Sequence, residues 1–322
     1  MAYSSGGTIQ AQDYNWLTWG GNTTNTYSGT VTNLAMVWGT GIGYKGYGQS
    51  VTPISATTAS TTVTATQWAG LVYTVNKALG HQGGTQLASG SNIGITAGAT
   101  IAAFANVSTA VTTVNTNANT AGTVGATTTG AGITAAISWP NSSSAQTTTW
   151  TRTVTFASGD QARYFFNAGG YLNIVQTATN NNATGRSGDI LTILQTNLAS
   201  LRFNGPNNAG RTGTGGTQTS ADATVGYWKC TTSNQSMIKI TSASASYMYT
   251  SDAVEVWAKT NGVQGSNGDV GTVVTFTFTV SAPAQTGSDF ADVVDVTATT
   301  RIDIVKPELT YLADVWGTIT IA

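Results

Sequence analysis

Charged side chains are scarce in this sequence. Asp, Glu, Lys and Arg make up 8% of its 322 residues, against about 25% in an ordinary soluble protein. Twelve basic residues offset thirteen acidic ones, which gives a net charge of −1. Such a balance produces no basic patch for nucleic acid or for an anionic membrane surface. We therefore expect no nucleic-acid partner.

Cysteine and histidine are nearly absent too. Cys230 is the single cysteine, which excludes an intrachain disulfide and a cysteine-built metal site. His81 is the single histidine, and it directly follows a predicted helix, where its donors suit the last carbonyls. A Ser-His-Asp or Cys-His site would depend on it, and no Gly-x-Ser-x-Gly elbow is present. We expect no catalytic residue and no cofactor.

Long apolar runs are missing as well. No segment approaches the ~20 apolar residues of a membrane span. The first seven residues have neither the basic nor the apolar region of a secretory signal. These absences predict a chain without a membrane span that is made in a cytosol and stays soluble there.

Paired carboxylates are the remaining residues that could support catalysis, because a glycosidase needs two of them about 5 to 10 Å apart. The candidates are four clustered Asp residues and the two Glu residues of the chain: Asp289, Asp292, Asp295, Asp303, Glu255 and Glu308. Solvated carboxylates of strand edges and loops are the simpler interpretation, since they discourage edge pairing. Residues 289–295 lack the spacing of a calcium-binding loop, and whether an ion binds there stays open.

Glycine, threonine and aromatic residues are abundant instead. The 9 Trp, 12 Tyr and 8 Phe, together with the low net charge, are typical of a folded chain. Threonine, valine and aromatic residues favour strands, so we expect a β-rich protein.

Helical patterns fill the first 120 residues or so. The strongest begins at Thr64, which forms a capping-box pattern with Gln67, and ends at Gly80. Weaker patterns predict helices over residues 9–17 (capped by Thr8), 30–38 and 99–118. The glycine-rich residues 39–48 predict a turn-rich loop that carries tyrosines.

Residues 122–132 are a Thr/Ala/Gly stretch that we interpret as a linker. After this stretch, the apolar residues change from helical spacing to alternation along the chain. Residues 149–156 and 274–280 alternate bulky and polar side chains, which predicts strands with one buried and one wet face. Three further segments complete the interpretation: strands over residues 301–305 and 315–321, and a helix over residues 189–201 that covers the sheet.

Residues 162–174 are the stretch around which the β-region is expected to form. Two aromatic-rich runs flank Ala168, Gly169 and Gly170. Glycine adopts a positive φ without steric cost, so the pattern predicts a β-hairpin with its hinge at Gly169 and Gly170.

These patterns together predict an α+β protein. Residues 1–121 form a helical N-terminal region for docking and oligomerisation, and residues 133–322 form a mostly antiparallel, β-sandwich-like domain with one covering helix.

Three segments resemble structural proteins of tailed bacteriophages, cyanophages among them. They are residues 7–15 (GTIQAQDYN), 37–49 (VWGTGIGYKGYGQ) and 162–170 (ARYFFNAGG). The resemblance implies a tail, neck, baseplate or fibre-associated component of the virion that is assembled in the host cytoplasm, is commonly oligomeric and has no catalytic residues. Because long heptads and repeated β-modules are absent, a compact subunit is favoured over a fibre shaft.

The expected partners are copies of the chain itself, as a trimer or hexamer, and other virion proteins. A nearly neutral surface gives little repulsion between copies, and aromatic residues are enriched at interfaces. The candidate interface residues are Trp16, Trp38, Tyr44, Tyr47, Phe104 and Val111. The alternative is a receptor- or carbohydrate-binding tip that stacks aromatic rings on host surface glycan. A glycan depolymerase or a capsid decoration protein is less favoured, although a sandwich fold would suit each of these functions.

Overall fold

The computed structural model describes residues 9–26, 32–88, 104–120, 123–140, 143–182, 185–220, 222–242, 249, 251–262, 271–285 and 292–322. The chain is α+β, as predicted, with helices at the N-terminus followed by mostly antiparallel sheets. The α-helices in these residues are α1 (Ala11–Trp19), α2 (Leu34–Trp38), α3 (Ala65–His81), α4 (Phe104–Thr116), α5 (Gly159–Asn167) and α6 (Gly185–Thr192). The strands are β1 (Val124–Thr129), β2 (Ile133–Trp139), β3 (Gln146–Phe156), β4 (Tyr171–Asn180), β5 (Ser200–Phe203), β6 (Asn208–Arg211), β7 (Thr217–Ser220), β8 (Gln235–Thr241), β9 (Ala253–Thr260), β10 (Val273–Ala282), β11 (Val294–Pro307) and β12 (Ile319–Ile321).

Helix α3 is the one whose sequence signals are strongest, and it forms as predicted. The Thr64 hydroxyl accepts a hydrogen bond from the Gln67 N–H at 3.2 Å, and the Gln67 side chain accepts from the Thr64 N–H at 2.8 Å. This capping box satisfies two backbone donors that a helix start otherwise leaves unpaired. The helix continues past the predicted end at Gly80 to His81.

The other N-terminal helices form with shifted ends. Helix α1 begins behind a capping box of Gln10 and Asp13, and the predicted cap, Thr8, lies outside the described residues. Helix α2 is shorter than predicted because Asn33 caps it by accepting from the Met36 N–H. Helix α4 matches the second part of the predicted helix, whose residues 99–103 lie outside the described part of the chain.

Two six-stranded antiparallel sheets pack face to face. The first has the order β1-β11-β4-β5-β6, with β2 also paired to β11, and the second has the order β12-β3-β10-β9-β8-β7. Aromatic side chains fill the space between them: Phe203 and Phe276 meet edge to face at 5.2 Å, and the Trp150 indole N–H donates to the Thr300 hydroxyl of the facing sheet at 2.8 Å. The core of the β-region therefore lies between the two sheets, as in a sandwich.

The interpretation of residues 122–132 as a linker is wrong. Strand β1 lies within them and pairs with β11, where Thr127 faces Val305. Threonine and alanine supply no strong periodic signal, but threonine fits a half-buried pleated surface, and the neighbouring strand supplies the hydrogen bonds. The segment is an edge strand of the first sheet.

The predicted β-hairpin over residues 162–174 is also wrong in its first half. Residues 162–167 belong to helix α5, which begins where the Ser158 hydroxyl accepts from the Gln161 N–H at 3.1 Å. Only the second half is a strand, β4. The turn at Gly169 and Gly170 thus joins a helix to a strand.

Both glycines of this turn are required by its geometry. Gly169 has a φ of +87°, and a Cβ atom on Gly170 would lie 2.6 Å from the Phe165 ring. We expect Gly169→Val and Gly170→Val each to lower the free energy of unfolding by about 1 kcal/mol or more, through backbone strain and steric overlap respectively. Urea unfolding measures this, and Gly188→Ala in α6, with open space around it, is the control. Variants that unfold like the parent would contradict this account of the turn.

The covering helix predicted over residues 189–201 is present, but in the structure it begins before residue 189 and ends before residue 201. Helix α6 starts at Gly185 and continues as a π-helix over Ile193–Leu198, after which Ala199 takes a φ of +49° and the chain enters β5. With α5, the β-region therefore carries two α-helices in its described residues rather than one.

The helical region and the sandwich share one buried core. At their junction, the Gln49 side chain accepts from the Ala313 N–H at 2.8 Å and donates to the Ala313 carbonyl at 3.1 Å. A residue from the N-terminal part of the chain is thus held by one from the last segment.

Candidate interaction surface

Residues 39–48, called the glycine loop below, follow α2 and lie against α5 of the β-region. The loop doubles back on α2: the Tyr47 N–H donates to the Val37 carbonyl and the Gly48 N–H to the Gly39 carbonyl, both at 2.8 Å. A Cβ atom on Gly41 would lie 2.3 Å from the Met36 carbonyl oxygen. The close backbone approach explains why this segment is rich in glycine.

Helix α5 holds the glycine loop in place. The Arg163 guanidinium donates to the Lys45 carbonyl at 2.9 Å, and the Asn167 side-chain amide lies 3.1, 3.0 and 3.3 Å from the carbonyls of Gly43, Lys45 and Gly46. Arg163 and Asn167 are buried. Buried backbone carbonyls need such donors, so residues 37–49 and 162–170 form a single clasp.

An exposed apolar rim sits on this clasp. Ile42 and Tyr44 are exposed, and the Tyr44 ring lies 5.7 Å from the ring of Trp228, which is partly buried. The Trp228 indole N–H donates to the Asn167 side-chain oxygen at 2.9 Å. We call Ile42, Tyr44 and Trp228 the loop rim. Because Asn167 fixes both the loop and Trp228, the rim is presented in one arrangement.

The candidate interface residues divide into two groups. Trp16 and Tyr44 are exposed over 52% and 54% of their surface, and Phe104 is partly buried against Trp68. The other three are buried in the chain's own core, which corrects their assignment to an interface: Trp38, Tyr47 and Val111. Aromatic or aliphatic character alone did not distinguish core from surface.

Sequence reasoning missed two surface aromatics. Trp228 completes the loop rim, and Tyr73 is exposed over 56% of its surface on α3. Tyr73 was detectable, because it lies off the apolar stripe of its helix. Trp228 was not, since its contact with Tyr44 depends on the tertiary fold.

His81 occupies a structural position at the junction. Its ring hydrogen-bonds to the backbone of Ala168 and meets the Tyr47 ring edge to face at 5.0 Å. Burial lowers the pKa of His81 to about 4, against an ordinary value of 6.5, despite the opposing effects of that hydrogen bond and of Glu308. The imidazole is therefore neutral at neutral pH.

Cys230 is buried, and burial raises the pKa of its thiol to about 12. The reactive thiolate is therefore scarce at neutral pH.

The clustered carboxylates are engaged in separate contacts. Asp292 accepts from the Tyr249 hydroxyl at 2.6 Å, Asp295 accepts from the Asn181 amide at 3.0 Å, and Asp303 pairs with Arg301 at 2.9 Å. Glu255 accepts from Ser236, and Glu308 accepts from Thr123 and Thr310. Asp289 lies outside the described residues. Among the residues that the structure describes, no three His, Cys, Asp or Glu side chains are grouped as metal ligands.

Comparisons with known proteins give no identity. No family model, curated protein or solved structure matches this chain. Within the described part, no helix is both long and apolar enough to span a bilayer.

Arg186 and Asp252 form a buried ion pair, and we call the contacts around Arg186 the Arg186 cluster. The Arg186 guanidinium donates to both carboxylate oxygens of Asp252, at 2.9 and 3.1 Å, and to the Pro283 carbonyl at 2.9 Å. Its charged carbon lies 5.2 Å from the centre of the Tyr249 ring. Both ionic side chains are fully buried. The cluster ties α6 to the segments before β9 and after β10, and thus has a structural role.

Proposed function

We propose that this chain is a structural subunit of a tailed-phage-like virion, which self-associates and docks on other tail, neck or baseplate proteins. The observation that carries the proposal is the loop rim, in which the exposed Ile42 and Tyr44 lie beside the partly buried Trp228, while the buried Asn167 hydrogen-bonds both the loop and Trp228. Preordered aromatic surface is the kind of anchor that protein interfaces use, because little conformational entropy is lost on binding.

Two of the segments that resemble phage structural proteins lie next to the loop rim. Residues 37–49 and 162–170 include the glycine loop and the C-terminal part of α5 that clasps it. Two of the three segments on which the resemblance rests therefore support the loop rim. In this proposal the chain reaches the virion from the host cytoplasm and acts there through packing, with no catalytic step.

The surface chemistry of the second sheet suits such a role. Strands β3 and β10 carry paired rows of hydroxyl side chains, in which the exposed Thr149 faces the half-buried Thr279 and the exposed Thr151 faces the half-buried Thr277. An uncharged surface of this kind can approach another copy without electrostatic repulsion.

Removing the Tyr44 ring tests the docking role. We expect Tyr44→Ala to fold normally but to enter particles less efficiently, by about tenfold if the ring supplies the ~1.4 kcal/mol that this ratio represents. Tyr73→Ala is the matched control, because Tyr73 is equally exposed on a different surface. Incorporation is measured by quantitative mass spectrometry of purified particles of the encoding virus. Absence of the wild-type chain from particles would contradict the structural role, whereas equal incorporation of both variants would contradict only the loop rim as its docking site.

The Tyr44 and Trp228 pair also supports the second candidate, a carbohydrate-binding tip. Aromatic rings with neutral polar neighbours are a common sugar-binding surface, since the ring supplies apolar contact area. Glycan-array binding that is lost in Tyr44→Ala and retained in Tyr73→Ala would favour this function. Particle incorporation unchanged by Tyr44→Ala would then be expected.

A further inference from the structure

Strand β3 is the longest regular strand of the second sheet. Its residues pair with β10 over ten consecutive positions without a register shift, from Gln146 opposite Ala282 to Thr155 opposite Val273. Side chains alternate between the two faces, with Thr147, Thr149 and Thr151 exposed. The strand therefore offers a regularly paired backbone.

The other side of β3 is only partly covered. Strand β12 pairs with Val154, Thr155 and Phe156, and the backbone of Thr153 exchanges hydrogen bonds with Ala322 at 2.8 and 3.0 Å. Among the described strands none continues this pairing toward residue 146. In an antiparallel ladder, alternate residues direct their N–H and C=O groups to the same side, so Thr151, Thr149 and Thr147 direct theirs toward the open side.

This open edge lacks the usual protection against pairing. Natural edges are shielded by charged side chains, proline, bulges or short length, and residues 146–151 (QTTTWT) have no charge, no proline and no shift in register. The opposite edges of the two sheets, β6 and β7, have four residues each and a shifted register. The contrast distinguishes β3 from these two edges.

Residues 146–151 are also held ready for pairing. The Trp150 ring stacks on Phe278 at 5.6 Å and its N–H donates to Thr300, while the Thr148 hydroxyl accepts from the Trp139 indole at 3.0 Å. These inward contacts fix the strand before any partner arrives, so little ordering entropy is lost on binding.

We propose that residues 146–151 of β3 form a β-sheet contact with the same residues of a second copy, antiparallel about a twofold axis. The inference rests on the structural role proposed above and names the contact through which the chain self-associates. Four of the six residues are threonine and none is charged, so antiparallel self-pairing centred on Thr149 sets Thr149 opposite Thr149 and Thr147 opposite Thr151, and it brings no like charges together. A twofold contact uses one patch on both copies. Combined with a threefold axis it gives a hexamer, one of the two oligomers expected from the resemblance.

Hydrogen exchange of the wild-type chain tests the contact directly. The backbone amides of Thr147, Thr149 and Thr151 should exchange quickly at low protein concentration and slowly at high concentration, as sedimentation shows dimers forming. Amides of β10 should exchange slowly at both concentrations, because their pairs lie within the sheet. A monomer at high concentration, or a dimer whose amides at these three positions still exchange quickly, overturns the proposal.

Three substitutions of Thr149 separate backbone pairing from side-chain contact. Thr149→Pro removes an N–H that points to the open side and keeps the pairing with β10, and we expect it to weaken dimerisation at least ~10-fold. Thr149→Val keeps the N–H and should dimerise like the parent. Should the proline variant fold poorly, Thr149→Lys on the exposed face sets like charges together across the twofold axis, and it should weaken the dimer in a salt-dependent manner.

The outcomes distinguish this contact from the structural role itself. Dimers unaffected by both Thr149→Pro and Thr149→Lys would place self-association elsewhere and overturn the edge contact. Protection of the three amides that appears only when another virion protein is added would assign the edge to that protein instead. In either case, incorporation of the chain into particles would still stand as a separate measurement.

Discussion

Replacing Asp252 with alanine is expected to lower the free energy of unfolding by about 3 to 5 kcal/mol. The Arg186 guanidinium would then lie fully buried without its carboxylate partner, and a buried charge without compensation is costly. Urea unfolding followed by fluorescence measures the change. This is the largest loss of stability that we expect from a single substitution.

Two further variants identify the cause. Asp314→Ala breaks a partly exposed pair with Lys306 at 3.0 Å, so a loss below about 1 kcal/mol is expected. In the double variant Arg186→Met with Asp252→Leu both charges are gone, and much of the lost stability should return because apolar pairs often replace buried ion pairs well. A double variant as unstable as Asp252→Ala would mean that packing, rather than charge, dominates the cluster.

Acidification is expected to destabilise the protein through His81. The folded chain keeps the pKa of His81 at about 4, whereas the ordinary value is 6.5. Between these values the unfolded chain binds the proton and the folded chain does not, so stability falls as the pH drops from 6.5 to 4 and is unaffected by His81 above 6.5. The full difference corresponds to roughly 3 kcal/mol. Unfolding curves measured at several pH values give this dependence.

A His81→Asn variant isolates that contribution. An asparagine amide can supply the hydrogen bond to Ala168 and does not titrate. Asp222 has a lowered pKa because Thr224 donates hydrogen bonds to it, and its acid effect is common to both proteins. The pKa of Glu308 is lowered by hydrogen bonds from Thr123 and Thr310 and also by the His81 charge. Subtracting one pH dependence from the other therefore gives the contribution of His81 together with its coupling to Glu308. A flat difference between pH 7 and pH 4.5 would show that the imidazole is more accessible than its position indicates.

Local signals predicted the elements that local chemistry specifies. The capping box at Thr64 fixed the start of α3, and strict alternation over residues 149–156 and 274–280 identified β3 and β10. In both cases the period of the apolar residues agrees with the hydrogen-bonding needs of the element. The α+β class follows from these elements.

Helix α5 shows where pattern reasoning failed. Its aromatic density favours a strand, and the two glycines after it favour a hairpin, yet Ala162, Phe165 and Phe166 lie at helical spacing on its buried face. The capping signal at Ser158 and Gln161 was present and favours a helix. Tertiary packing decided between two locally acceptable conformations.

The candidate surface was only half predictable. Tyr44 was found because aromatic residues in a glycine-rich loop often face solvent, but Tyr47 of the same loop is buried. Which of two tyrosines points inward depends on where α5 places Arg163 and Asn167, and Trp228 joins the rim from a distant part of the chain. Such convergence is not encoded in local spacing.

The clasp around the glycine loop can form only after distant parts of the chain have been synthesised. The loop rim needs Asn167 and Trp228, and the contact of Gln49 with Ala313 needs the last segment of the chain. Contacts between residues so distant in sequence form late and slow folding. A chain that has not yet reached Trp228 therefore lacks the finished rim, so the assembly proposed above would select molecules in which the glycine loop, α5 and Trp228 have folded together.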